Sequence, residues 1–480
     1  MALKIHPINL GNMQMDSSGL VMFRNPGEQV TIPVLGFLIT GGEEPILVDT
    51  GSRNAQQYEE YGLTYEVTPQ MTLEYHLAQH GLRMKDIRHI VHTHAHIDHV
   101  GMTDLFTVTF LAGSSVPTPL YPIYQDQWHF TAMGISFIFS IYAISVLAGL
   151  LVFGRLSDYV GRRSVLLWTT VLQLVAMYML GVADGFTDLV LGRLIQGVST
   201  GAAVPAVGAA LIDLNHKRGA VVNALTPAIG SAVGALMGSV FAQALPYPTH
   251  TVFAALAFIL VIQGVGLLLM RDIRAKIPGA ARSLIPQFSI PVDVRGPMII
   301  ASSLFVAGWA VAGFFASMGP RLIEQLFALP ASWAGGLVLA AFAGSGVAAI
   351  GAFVTRSMHT LAWIGALGLL IGMAMVLVSL ITGSLTPFVF GVVISGAGFG
   401  AGFQGGIRLV LSKSRAEEVA GVLSVAFLCC YLGMGVPAMI AGYAVASGHG
   451  IFDTAIVFAI LVMSLSFIAV YRMISGGSRV

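Results

Sequence analysis

Gly154-Arg-Leu-Ser-Asp-Tyr-Val-Gly-Arg-Arg163 decides how this chain is read. It is a charged, glycine-punctuated turn between two apolar runs, residues 131–153 and 164–180, each long enough to cross a bilayer as a helix. Gly154 and Gly161 permit positive φ or close backbone approach where the chain reverses. Asp158 stands where it can pair with an arginine or sit at the amino end of the next helix, where the dipole favours negative charge. Arg155, Arg162 and Arg163 beside the hydrocarbon edge mark the side on which basic loops are retained during insertion. The plainer alternative is a basic loop that sets topology and does nothing more.

Outward from this turn the chain stays apolar. Of its 480 residues 56% are hydrophobic and 10% charged, where a soluble globular chain carries about a quarter charged; this is the composition of a membrane protein embedded in a lipid bilayer. A net charge of +1 leaves no basic face for phosphates, which argues against a nucleic-acid partner. Cys429 and Cys430 are adjacent within an apolar run and cannot staple distant segments. The opening residues lack the basic region, apolar core and cleavage site of a signal peptide.

Apolar run length gives about twelve spans. The first, residues 104–124, is interrupted by Gly113, Pro117, Pro119 and Pro122. Five follow at 131–153, 164–180, 187–214, 220–245 and 251–270. After a polar linker, six more occupy 297–318, 331–354, 361–382, 385–411, 420–447 and 451–471. Alternation then puts sixteen Lys and Arg on the side of the 154–163 turn and Arg321 alone on the other, as expected for an even number of spans with both termini cytoplasmic. The divisions are a segment 1–102, a bundle 103–270, a linker 271–296 and a bundle 297–480.

Within the fourth run, Leu189-Val-Leu-Gly-Arg193-Leu-Ile-Gln196-Gly197-Val-Ser-Thr-Gly201 sets Arg193, Gln196, Gly197 and Gly201 on one helical face. An arginine inside a span is costly unless it faces a wet cavity or a partner; the other reading has its stem snorkelling to the headgroups. In the fifth run Pro227, Gly230, Gly234 and Gly238 form a small-residue ladder suited to close helix packing. No acidic residue lies deep in any run: Asp213 falls at a helix end, and Asp126, Asp184 and Asp188 fall at the opposite rim.

Read as G-x-L-x-D-x-x-G-R-R, the opening stretch resembles the loop between helices two and three of the major facilitator superfamily. The resemblance implies an all-α membrane protein of two six-helix halves rocking around a midplane cavity, with Gly154, Asp158, Gly161, Arg162 and Arg163 as the gating loop. The run through Arg193 is similar to that superfamily's fourth-helix motif, whose arginine is linked to proton-coupled transport. Residues 351–359 echo the signature weakly, keeping a glycine and one arginine. The cavity that the resemblance implies draws on Tyr121, Tyr124, Arg193, Gln196, Trp309, Phe314, Phe315, Gln404 and Arg408.

Ahead of the spans, residues 1–102 hold eleven acidic and six basic residues and read as α/β, with strand-like runs at 30–39 and 45–49 and a helical pattern around 71–80. A short apolar strand at 88–91 leads into His92-Thr-His94-Ala-His96-Ile-Asp98-His99. The spacing suits metals: His94 and His96 can reach one ion from an extended turn, while Asp98 and His99 reach a second. With Val48-Asp49-Thr50-Gly51 upstream, this stretch resembles the metallo-β-lactamase-fold hydrolases, especially their lactonase branch. That family needs further histidines and an aspartate downstream, and here the later histidines sit at the ends of apolar spans. Two readings follow for the segment: a single zinc held by His94, His96 and His99, or a partial fold without catalysis.

Two functions are therefore carried forward. One is a monomeric secondary transporter in the cell membrane, exporting a small organic or drug-like solute by alternating access with protons as coupling ion and no cofactor. The other is a membrane-anchored zinc metallo-hydrolase.

Overall fold

The computed structural model describes residues 3–16, 29–42, 44–49, 64–87, 89–91, 98–214, 216–269, 277–415 and 417–476. It divides into two compact units, Met1–His99 and Val100–Val480.

In the first unit five strands make one sheet: β1 (Lys4–Asp16), β2 (Gln29–Thr40), β3 (Ile46–Val48), β4 (Thr64–Glu66) and β5 (His89–Val91), in the order β4-β1-β2-β3-β5. All pairings are antiparallel except β3 with β5. Helix α1 (Leu73–Gln79) starts where the Thr72 hydroxyl accepts from the backbone N–H of Tyr75, and its Leu73 packs with Ile87 on a small core of Ile8, Leu10 and Leu47. A bulge between Asn9 and Asn12 is set by Gly11: the Tyr65 ring covers its α-carbon, and the Tyr65 hydroxyl donates to Leu10 O at 2.7 Å.

The second unit is helical: α2 (Asp98–Ser115), α3 (Pro117–Trp128), α4 (Ala132–Phe153), α5 (Ser157–Val160), α6 (Arg162–Gly181), α7 (Phe186–Leu214), α8 (His216–Ala244), α9 (Pro248–Leu269), α10 (Ala280–Ser283), α11 (Val292–Ser317), α12 (Gly319–Phe327), α13 (Ala331–Ala352), α14 (Met358–Thr382), α15 (Leu385–Leu411), α16 (Val419–Ala446) and α17 (Ile451–Gly476). Eleven helices among the described residues are long and apolar enough to cross a membrane. Helices α2 and α3, end to end across Val116, make the remaining crossing in two pieces.

Chemistry sets that interruption. Pro117 has no N–H, so the carbonyl of Gly113 loses its helical donor. The other half repeats the design: α11 stops at Ser317, Pro320 stands in the first turn of α12, and both outer pieces end on a left-handed non-glycine residue, His129 (φ 55°) after α3 and Ala328 (φ 52°) after α12. Two broken helices at equivalent places in six-helix halves are the mark of an internal repeat.

Each half has its own apolar centre, around Phe110, Leu120, Phe139 and Phe253 in the first and Phe314, Phe315, Phe342, Phe388 and Phe458 in the second. Large apolar side chains such as Phe258, Ile440, Val457 and Phe467 point outward, which suits a lipid solvent. The halves meet along α4 with α16 and α8 with α13, where Ser140 Oγ donates to Gly435 O and Ser239 Oγ to Ser332 O, both at 2.9 Å. Inside the first half α4 and α7 touch backbone to backbone, because a β-carbon on Gly197 would lie 2.7 Å from Tyr142 O.

Candidate functional site

The turn after α4 folds from its own residues. One helical turn, α5, is stopped by Gly161 at φ 93°, a conformation closed to side chains with a β-carbon, and α6 restarts on Arg162. Arg162 is buried. Its Nη1 meets Asp158 Oδ1 at 2.7 Å and Ser157 Oγ at 2.6 Å, and its Nε meets Asp213 Oδ2, at the end of α7, at 3.2 Å. Arg163 reaches the other way: its Nε and Nη2 donate to Leu267 O at 2.8 Å and Leu268 O at 2.6 Å, where the end of α9 has unfilled carbonyls and a negative dipole end. One decapeptide thus ties α4, α6, α7 and α9 together on the arginine-rich face. The weak echo in the second half is held differently. There Arg408 of α15 donates to Val354 O at 3.0 Å and Arg356 O at 3.2 Å, so carbonyls take the place of carboxylates.

The second constellation lies inside the first half, where the interrupted helix meets α7. Gln196 Nε2 donates to Gly113 O at 2.9 Å, supplying the bond that Pro117 cannot. Arg193 Nη1 donates to Ser114 O at 3.1 Å and to Gln196 Oε1 at 2.5 Å, and its guanidinium lies 4.0 Å above the centre of the Tyr142 ring. Arg193 is 1% exposed, so it does not snorkel. Tyr121 and Tyr124, on α3, are buried nearby, the Tyr121 hydroxyl against the Arg193 guanidinium and the Tyr124 hydroxyl unpartnered.

The other cavity candidates are spread. Trp309 packs its ring 4.9 Å from Tyr431, and its Nε1 has no partner. Gln404, also with an unpartnered Oε1, and Arg408 line a cavity of about 180 Å³ with Ala224, Leu225, Ile350 and Val354, between α8, α13 and α15. Phe314 stacks on Phe458 and Phe315 on Phe342 and Phe388, inside the second half's own core.

On the face opposite the turn, sequence reasoning noted Arg321 as the lone basic residue but not its partners. From α12 it reaches Asp126, Gln125 Oε1 at 3.1 Å and Pro122 O at 3.3 Å, all on α3, and Glu324 at 2.7 Å. The broken pieces of the two halves are thereby tied to each other. Tyr142 and Gln173 beside Arg193 were missed as well; neither stands in a motif, and helical periodicity cannot say which face of a wholly apolar run turns inward.

Of the metal motif, His94 and His96 lie outside the described residues, as do Thr50 and Gly51. Asp98 and His99 open α2, with side chains outside the description. Among the described residues no three His, Cys, Asp or Glu gather as a metal site.

The sequence profile of the Major Facilitator Superfamily matches residues 104–438, and that of the Metallo-beta-lactamase superfamily residues 31–169. The second match runs on from the sheet into α4 and α6, which are membrane helices here. Multidrug resistance protein 3 of Bacillus subtilis is 30% identical over 116 residues, 23% of this chain and 22% of its own. An N-acyl homoserine lactonase of Bacillus cereus is 30% identical over 115 residues, 22% of this chain and 46% of its own. The chain therefore spans less than half the length of these curated relatives. A solved bacterial homolog of the human lysosomal transporter Spinster, in an inward-facing and occupied conformation, has the same fold. Its TM-score is 0.63 at 13% identity, over 78% of this chain and 96% of its own.

Proposed function

The chain belongs to the Major Facilitator Superfamily and is a membrane transporter, and from that premise we propose that it exports a small organic or drug-like solute by alternating access, exchanging it for protons. The observation that carries this reading is Arg162, buried between Asp158 and Asp213. A guanidinium with two carboxylates at the meeting of a loop and two helix ends is a latch with two arrangements: made while that face is shut, parted when the helix ends separate.

The sixteen Lys and Arg that the alternation of spans assigns to that side support a cytoplasmic side there and cytoplasmic termini, in a cell membrane. On that orientation the Arg321 cluster closes the outer mouth, and Trp309, Gln404, Tyr121, Gln196 and Arg193 stand along the path. The metallo-hydrolase reading draws on the match at residues 31–169, yet it lacks an assembled metal site among the described residues, and we assign the amino-terminal unit no step in transport. Both helical halves lie in one chain, which supports a monomer as the working unit.

The test is dye efflux from cells expressing the full chain. Of an anionic, a neutral and a cationic dye (carboxyfluorescein, Nile red and ethidium), whichever the unaltered chain exports should no longer be exported by Asp158→Asn while the protein stays in the membrane at the wild-type level; undiminished export by that variant, or export of none of the three by the unaltered chain, sinks the proposal.

A further inference from the structure

Arg193 carries a full positive charge at membrane depth, and among the described residues no carboxylate faces it. Asp104, whose side chain is not described, stands ten residues before Ser114 on the same helix, about 15 Å away along its axis. An uncompensated arginine inside a membrane span is costly. Two carbonyl-type acceptors and the Tyr142 ring take up part of the charge, while Nε and Nη2 of the same guanidinium have no partner. Around it stand groups able to donate: the hydroxyl of Tyr121, which lies against the guanidinium, that of Tyr124, within reach of its field, and the Gln173 amide beside Gly113, with neither of its polar atoms bonded. A cation ringed by spare donors complements an acceptor-rich anion and repels a cation. Beyond the Tyr142 ring lie Tyr431 and Trp309, an aromatic wall contributed by the second half.

We infer that the cargo is an amphiphilic organic anion, its acidic group bound by Arg193 with Tyr121, Tyr124 and Gln173, and its apolar body laid against Tyr142, Tyr431 and Trp309. The inference rests on the transporter reading and names its substrate class. These polar atoms are sealed from solvent, so the structure is the closed form of the site. The interruption at Val116 lets α3 carry Tyr121 and Tyr124 away from Arg193 to admit the ligand.

Three probes of one shape and different charge decide it: naphthalene-1-sulfonate, 1-naphthylmethanol and 1-naphthylmethylammonium, titrated against the purified full chain in lipid nanodiscs at fixed ionic strength, with chloride exchanged for gluconate in a parallel arm. The sulfonate should bind on the order of tenfold tighter than the other two. That preference should vanish in Arg193→Gln, persist in part in Arg193→Lys and weaken severalfold in Tyr124→Phe. Equal or tighter binding of the alcohol or ammonium overturns the inference, as does unchanged sulfonate binding in Arg193→Gln or a response to chloride alone. Should Arg193→Gln fail to fold, the charge series on the unaltered protein still decides. Asp158-dependent export of any of the three dyes without sulfonate binding sinks this inference and leaves the transporter standing; no Asp158-dependent movement of any dye or probe sinks the transporter itself.

Discussion

Arg162 holds two carboxylates at once, and the two are not equivalent. Asp158 is 42% exposed at its side chain and Asp213 18%, so water replaces the first partner more readily than the second. Asp213→Asn should therefore destabilise the closed face more than Asp158→Asn, each by about 1–3 kcal/mol, read as faster modification of a cysteine placed at Asn223 on α8. Equal rates in both variants would contradict that ranking. A residue of the first unit gives a pH prediction. Burial first, then His6 and His76, holds the His80 imidazole below its usual range, and the His6 ring lies 4.2 Å away. The unfolded chain therefore takes up the proton more readily, so this contribution is complete above about pH 6.5 and is lost as pH falls through the lowered value. Amides of β1 and β2, corrected for intrinsic exchange, should lose protection between pH 7 and pH 5, and His80→Gln should flatten that loss.

At the scale of elements, the proline-broken first helix and its glycine-rich neighbour belong together. A β-carbon on Gly230, Gly234 or Gly238 of α8 would strike the backbone or side chains of α2 and α3 on both sides of the interruption, so α8 packs closely against both pieces. Gly234→Ala should cut transport at least severalfold with expression intact; an active variant would show that the helices part freely there. The Arg321 cluster should behave as a pair: Asp126→Arg or Arg321→Asp alone loosens the far face, and the double variant regains part of the wild-type closure, measured by labelling of a cysteine placed at the buried Ser317. Much of this could be read from the sequence. Gly154 to Arg163 announced the turn, and run length located the spans, since twenty apolar residues have few other uses. The strand β1 was not read, because Pro7 and Gly11 interrupt its alternation and the bulge shifts its register. Residues 104–124 make an interrupted run for the reason that makes them informative: three prolines divide one crossing into two helices. What stayed out of reach was pairing across distance, such as Arg162 with Asp213 or Arg321 with Asp126, because both depend on which helix ends the bundle brings together.

The whole molecule joins a sheet-forming segment to a repeated bundle. Because the two units are compact separately, a chain starting at Asp98 should still export whichever dye the full chain exports, to within about twofold in whole cells. Loss of export on that deletion, with the shorter chain present in the membrane, would give the first unit a role in the cycle. The repeat also explains why the halves need not match in chemistry: one closes with carboxylates around Arg162, the other with carbonyls around Arg408, and each secures its own helix ends. A last consequence concerns electricity. With a fixed cation at Arg193 and no opposing interior charge among the described residues, an anionic cargo makes the laden stroke neutral, whereas the return stroke carries the charge of Arg193, and of any proton exchanged, through the membrane field. At about 2.3 kcal/mol per elementary charge per 100 mV, voltage then governs the return stroke more than the delivery stroke. Recordings on a solid-supported membrane should show transient currents in the vacant protein that a saturating sulfonate quenches.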